Sequence, residues 1–110
     1  MKRRFRLRQS TDFKRVRQSG KSYAHPLVVL IVLPNPEGGL RFGVSAGRSV
    51  GNAVQRNRAK RRIRAVLSEL QPRIASGWDI VVLARRGIHT ADYAALRAAL
   101  EQLLRRAGVL

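Results

Sequence analysis

Cysteine is absent from this chain of 110 residues. That excludes a disulfide scaffold, thiolate metal sites and a cysteine nucleophile. Histidine occurs only twice, at His25 and His89, which leaves almost no room for a zinc site. Aromatic residues make up 5% of the chain, so stacking platforms are few. The longest apolar run, Leu27 to Leu33, is too short to span a bilayer. The basic opening Met1-Lys2-Arg3-Arg4-Phe5-Arg6-Leu7-Arg8 has no apolar stretch after it, so it does not read as a secretory signal. No internal repeat is visible, nor any linker rich in Pro, Gly or Ser. The expectation is one domain over residues 1–110, soluble and cytoplasmic, with no membrane partner.

Negative charge is scarce too. Six acids face 23 Lys and Arg, a formal net charge of +17. No acid lies between Glu37 and Glu69, whereas Arg41, Arg48, Arg56, Arg58, Lys60, Arg61, Arg62 and Arg64 all fall in that window. A second basic block runs from Lys2 to Lys21 with Asp12 as its only acid. A charge of this sign and density predicts a polyanionic partner, nucleic acid before membrane. Apolar residues still make up 45%, enough to build a packed core.

Residues 1–9 read as a basic arm whose order the sequence leaves open. Ser10 or Thr11 can cap a short helix that uses Phe13 and Val16 as apolar contacts and stops at Gly20. Tyr23-Ala24 suggests a brief strand, and the β-branched run Leu27–Leu33 a buried one. Pro34 to Gly39 is a turn. Leu40 to Ser45 alternates: Leu40, Phe42 and Val44 face one way, Arg41, Gly43 and Ser45 the other. Asn52 can cap a helix running to about Leu70, with Gln55 placed for a reciprocal cap. Trp78 to Leu83 is a further buried strand. Thr90 is expected to cap a last helix with Tyr93, Leu96, Leu100, Leu103, Leu104 and Ala107 on one stripe. The order α-β-β-β-α-β-α predicts a small α+β sandwich, one central sheet with helices packed on it.

Arg56 to Arg64 holds six cations in nine residues. At 100° per residue, Ala59, Ile63, Val66, Leu67 and Leu70 form a core-facing stripe. Arg56, Lys60 and Arg64 follow its edge at i, i+4, i+8, with Asn57 and Arg61 just beyond. Arg58 and Arg62 fall on the opposite flank. Like charges so spaced repel by about 0.2–0.5 kcal/mol per pair, and no acid relieves them. A solvated face kept for solubility usually mixes signs. A row of phosphates, over a helix length of roughly 13 Å, would compensate the repulsion. Guanidinium groups suit bidentate phosphate contact, which favours backbone and shape recognition, as in structured RNA.

Catalytic groups are hard to find. The acids are scattered singly, and Glu101 is placed to pair with Arg97 or Arg105. Asp92 reads as a first-turn helix residue. His25 and His89 lie in separate predicted loops, and nothing in their spacing argues for a pair. Gly43 and Gly47 read as strand and turn glycines rather than a phosphate loop. An RNA-enzyme cofactor, a structural RNA-binding protein of ribosomal type and a protein-only nuclease all remain open on composition.

The stretch Gly51-Asn52-Ala53-Val54-Gln55-Arg56-Asn57-Arg58-Ala59-Lys60-Arg61-Arg62-Ile63-Arg64 resembles the signature of the bacterial ribonuclease P protein subunit. The basic start, Asp12-Phe13 with Gly20 after it, Leu40–Ser45, Trp78–Leu83 and the closing helix are similar too, so the resemblance covers nearly the whole chain. It implies a subunit of a ribonucleoprotein that removes the 5′ leader of precursor tRNA, with catalysis by the RNA subunit. It implies RNA contacts from the signature helix (Arg56, Asn57, Arg58, Lys60, Arg61, Arg62 and Arg64). It implies a leader cleft lined by Phe13, Arg17, Ile31, Arg41 and Ser45. Mg²⁺ is the implied cofactor, held mainly through the RNA subunit, and no protein partner is required. The family often has aromatic residues where Arg17 and Ile31 stand, so here Phe13 is the one stacking ring and leader binding leans on charge.

Overall fold

Strand β3 (Leu40–Ser45) turns the predicted alternation into two surfaces, with Leu40, Phe42 and Val44 buried on one side and Arg41 and Ser45 half-exposed on the other. The computed structural model describes residues 1–110. Before β3 come helix α1 (Ser10–Ser19), strand β1 (Lys21–Ala24) and strand β2 (Val28–Pro34). After it come helix α2 (Ala53–Leu70), strand β4 (Trp78–Ala84) and helix α3 (Tyr93–Arg106). This is the expected α-β-β-β-α-β-α order, with short 3-10 turns between some of the elements.

The sheet order is β1-β2-β4-β3. Antiparallel pairs join β1 to β2 and β2 to β4, while β3 and β4 run parallel. Parallel neighbours need a crossover, and α2 supplies it. Helices α2 and α3 cover one face, where Leu30, Val32, Phe42, Ile80 and Val82 meet Ile63, Leu67, Leu100 and Leu104. Ile63, Val66, Leu67 and Leu70 of α2 are fully buried, each contributing about 1.5–3 kcal/mol. The other face carries a small cluster of Leu7, Val16, Ile31 and Val81 beneath α1. Helix α1 has only 10 residues. It packs over β2 and β4 and reaches β3 through Phe13.

Two cap expectations need correction, and the segment before α1, whose order the sequence leaves open, is held against the sheet. Its Leu7 is buried, the Leu7 N–H donates to the Phe42 carbonyl at 2.8 Å, and Arg6 forms a bridge with Phe42. The segment thus covers an otherwise unpaired sheet edge. Helix α1 is capped by neither Ser10 nor Thr11, which lie inside its first turn after Gln9. Helix α3 is capped by Asp92, not Thr90: the Asp92 carboxylate accepts from the Ala95 N–H at 2.8 Å. The Thr90 hydroxyl donates instead to the Gly87 carbonyl at 3.0 Å, closing the 3-10 turn at Arg86–Thr90.

Candidate nucleic-acid interface

The start of α2 is held by a reciprocal cap. The Asn52 side chain accepts from the Gln55 N–H and the Gln55 side chain accepts from the Asn52 N–H, both at 2.9 Å. Gly51 has φ +145, and a Cβ there would lie 2.0 Å from the capping oxygen of Gln55. The Gly-Asn-x-x-Gln part of the motif is therefore architecture: it fixes the angle at which α2 leaves the loop. From the 3-10 turn at Arg86–Thr90, the His89 ring N–H donates to the Val50 carbonyl just upstream.

Arg62 belongs to this architecture. Its guanidinium donates to the Ile88 carbonyl at 2.8 Å and to the Ala91 carbonyl. The structure turns it inward to tie α2 to the turn before α3. Of the expected RNA contacts on α2, it is the one engaged within the protein. Helical geometry puts it beside the apolar stripe, and the Ile88 and Ala91 carbonyls lie on that side, the former also accepting from the Ala91 N–H at 3.3 Å.

The remaining cations stay on the surface. Asn57, Lys60, Arg61 and Arg64 line one open groove together with Val54. Arg56 is half-buried at its inner edge, and Arg58 is exposed on the far flank. None of these cations makes an ion pair. Burial, followed by the nearby charge of Arg6, pushes the Arg64 pKa below the usual guanidinium value. A site that makes a cation less comfortable is one where an arriving phosphate gains.

A second basic concavity of about 730 Å³ opens beside α1, lined by Arg8, Ser10, Phe13, Lys14, Arg17, Gln18 and Ser45. The tip of the Phe13 ring reaches β3 because residue 43 has no side chain: a Cβ on Gly43 would stand 2.6 Å from the ring. So three of the five expected cleft residues, Phe13, Arg17 and Ser45, come together. Ile31 does not. It is 6% exposed and packed with Leu7, Val16 and Val81 in the layer below. Arg41 lies outside this lining and is committed to Asp79, donating to both carboxylate oxygens at 2.9 Å. Asp79 is fully buried and also receives Arg15. The hydrogen bond to Asp79 raises the Arg41 pKa against the opposing effect of burial. Asp12 stands further off, 3.6 Å from Arg15 and 3.8 Å from Arg41.

Arg8, Ser10, Lys14 and Gln18 were missed. For Lys14 and Gln18 a signal existed, since they flank Phe13 and Arg17 on the same turns of α1. The Arg41–Asp79 pair had none, because it depends on the parallel register that places Arg41 opposite Asp79.

Nothing here assembles a catalytic centre from protein groups. The His25 ring accepts from the Leu27 N–H at 3.1 Å, while His89 serves Val50. Of the acids, Asp12, Asp79, Glu69 and Glu101 are in ion pairs and Asp92 is a cap. No three acids or histidines gather where they could hold a metal ion. No helix is long and apolar enough to cross a membrane.

The family model described as Ribonuclease P matches residues 1–108. The chain is 39% identical over 107 residues to the ribonuclease P protein component of Herpetosiphon aurantiacus, covering 97% of this chain and 87% of that protein. It is 41% identical over 111 aligned positions to that of Symbiobacterium thermophilum, covering 100% and 96%. Among solved structures, the Staphylococcus aureus RNase P protein superposes with a TM-score of 0.86 at 32% identity, covering 96% of each chain. The Thermotoga maritima RNase P protein does so at 0.82 and 31% identity, covering 92% of this chain and 96% of the other.

Proposed function

This chain belongs to the ribonuclease P protein family, and on that premise we propose how its surfaces divide the work. As the protein component of a tRNA-processing endoribonuclease, it partners the ribonuclease P RNA. The groove of α2 binds that RNA through Asn57, Lys60, Arg61 and Arg64, with Arg56 and Arg58 at its margins. The cleft beside α1 takes the single-stranded 5′ leader of precursor tRNA: Phe13 stacks a base, and Arg8, Lys14 and Arg17 neutralise phosphates. Bond cleavage falls to the RNA subunit. The single observation that carries this reading is the acid-free row of cations facing outward on a helix whose other side is core.

The carboxylates present do not fit a Mg²⁺ site made by the protein, since all but Glu37 are engaged with arginines or a helix cap and no three gather. Mg²⁺ belongs to the RNA phosphates, and the protein's contribution is to lower repulsion among them. A ribosomal-type role gains no support from the relatives named above, which are ribonuclease P proteins.

Reconstitution tests the proposal. With ribonuclease P RNA and precursor tRNA at low Mg²⁺, 5′ processing should require the protein. Cleavage by the protein alone, or capture of ribosomal RNA in place of ribonuclease P RNA, would overturn it.

A further inference from the structure

The N-terminal segment makes a groove of its own. Arg3, Arg4, Arg6 and Arg8 line it with Arg41, and its only acid is Asp12. All four arginines of the segment are exposed, and none has a carboxylate partner. Asp12 is already flanked by Arg15 and Arg41.

The segment is nevertheless held in place. Leu7 is buried and bonded to Phe42, the Arg8 guanidinium donates to the Arg3 carbonyl at 3.5 Å, and Arg4 lies over the Phe5 ring at 4.9 Å. The backbone thus sets four cations side by side at a cost in mutual repulsion, and the one acid in the groove, Asp12, is shared with Arg15 and Arg41. Arg8 lines both this groove and the cleft that holds Phe13. The two concavities are therefore consecutive, joined at one guanidinium.

We propose that this groove is a phosphodiester-binding track continuous with the Phe13 cleft, so that a single RNA strand leaving the cleft passes Arg8 and runs along Arg3 and Arg4. The proposal rests on the leader-cleft reading above and extends it. The strand is the leader rather than the catalytic RNA because the groove shares Arg8 with the cleft and Arg41 with the α1 side of the sheet. Arg6 is the one whose charge is felt in the α2 groove, at Arg64, while Arg4 borders α2 at its far end, near Ser68 and away from that groove.

The test uses holoenzyme reconstituted with ribonuclease P RNA, carrying either the native chain or Arg3→Ala/Arg4→Ala. Arg6 is left in place because it borders the α2 groove. Affinity is measured for precursor tRNA with leaders lengthened stepwise from one nucleotide. With the native chain, affinity should climb as the leader fills the cleft and climb again as it enters the track. In the variant the second rise should vanish. Two lost phosphate contacts on a single strand, at a salt slope of about 0.7 each, correspond to roughly a tenfold loss near physiological salt and a slope shallower by about 1.4. Short-leader affinity and assembly with the RNA subunit should not change.

An equal loss at every leader length, or no loss at all, would overturn the track. A loss confined to RNA-subunit assembly would overturn it as well, by assigning the groove to the catalytic RNA. If the native holoenzyme itself showed no dependence on leader length, the cleft reading would fail, and that result is distinct from failure of the track alone.

Discussion

Two neighbouring arginines on α2 should behave as opposites. Arg61 points into the open groove with Asn57, Lys60 and Arg64. Arg62 donates to the Ile88 and Ala91 carbonyls. Arg62→Ala removes two charge-assisted hydrogen bonds, each worth about 1.5–3 kcal/mol. The side chain is half-buried, and water can reach the released carbonyls in part, so the low end applies and the total is about 2–3 kcal/mol. An unfolding entropy of about 2.1 cal/mol/K per residue over this chain converts each kcal/mol into about 4 °C. Thermal unfolding of Arg62→Ala should therefore fall by about 10 °C. Its salt dependence of RNA binding, read where the variant is folded, should match that of the native chain. Arg61→Ala should melt with the native chain, yet lose about 0.7–0.9 from the slope of log K against log salt. If Arg62→Ala kept its melting temperature and lost slope, while Arg61→Ala lost neither, the division of α2 into an anchoring flank and a binding flank would be wrong.

Gly43→Ala should displace the Phe13 ring, since the added methyl would sit 2.6 Å from it. A cost of about 1–3 kcal/mol and weaker leader binding are expected, with RNA-subunit binding unchanged. On a Phe13→Leu background the substitution should add little to the loss of leader affinity, and a full additive loss would refute the ring's role. Asp79→Asn should destabilise by about 2–3 kcal/mol in denaturant titration, less than the usual cost of breaking a buried pair because Arg15 and Arg41 reach solvent. A neutral result would show that the two arginines do not depend on it. Glu101 is held below its ordinary 4.5 by Arg73 and Arg105, and Glu69 by the Tyr93 hydroxyl and Arg97. A carboxylate depressed in the folded state stabilises above its unfolded pKa and loses that contribution as pH falls through the folded value. Melting temperature should therefore drop on acidification below about pH 4.5, and Glu101→Gln should flatten that drop. An unchanged acid limb in the variant would refute the assignment.

The legibility of the chain followed the range of the forces involved. The α2 stripe, the Asn52–Gln55 cap and the β3 alternation rest on neighbours within one turn or one pleat, so spacing alone disclosed them. The sheet order could not be read, because β4 inserts between β2 and β3 only after the α2 crossover. With it went the Arg41–Asp79 pair and the burial of Ile31 beneath α1. The anchoring of Leu7 on Phe42 was hidden for the same reason: a basic segment gives no local sign that one of its leucines will close a sheet edge. The anchoring of Arg62 was the least legible feature of α2. Its helical angle beside the stripe was visible, but the carbonyls that claim it lie more than twenty residues away.

The placement of the acids explains why a chain of charge +17 does not simply repel itself into disorder. Glu101 alone receives Arg73, Arg97 and Arg105, and Glu69 receives Arg97 again. Asp79 takes Arg15 and Arg41. These carboxylates therefore tether arginines that belong to the α2–α3 junction and to the α1 side of the sheet. The cations on the α2 groove, on α1 beside Phe13 and along the N-terminal segment are left without partners. Spreading the same six acids evenly would have lowered self-repulsion at every surface alike. Concentrating them on the framework leaves the repulsion where an incoming polyanion can relieve it, so the regions that destabilise the free protein most are those that gain most from RNA.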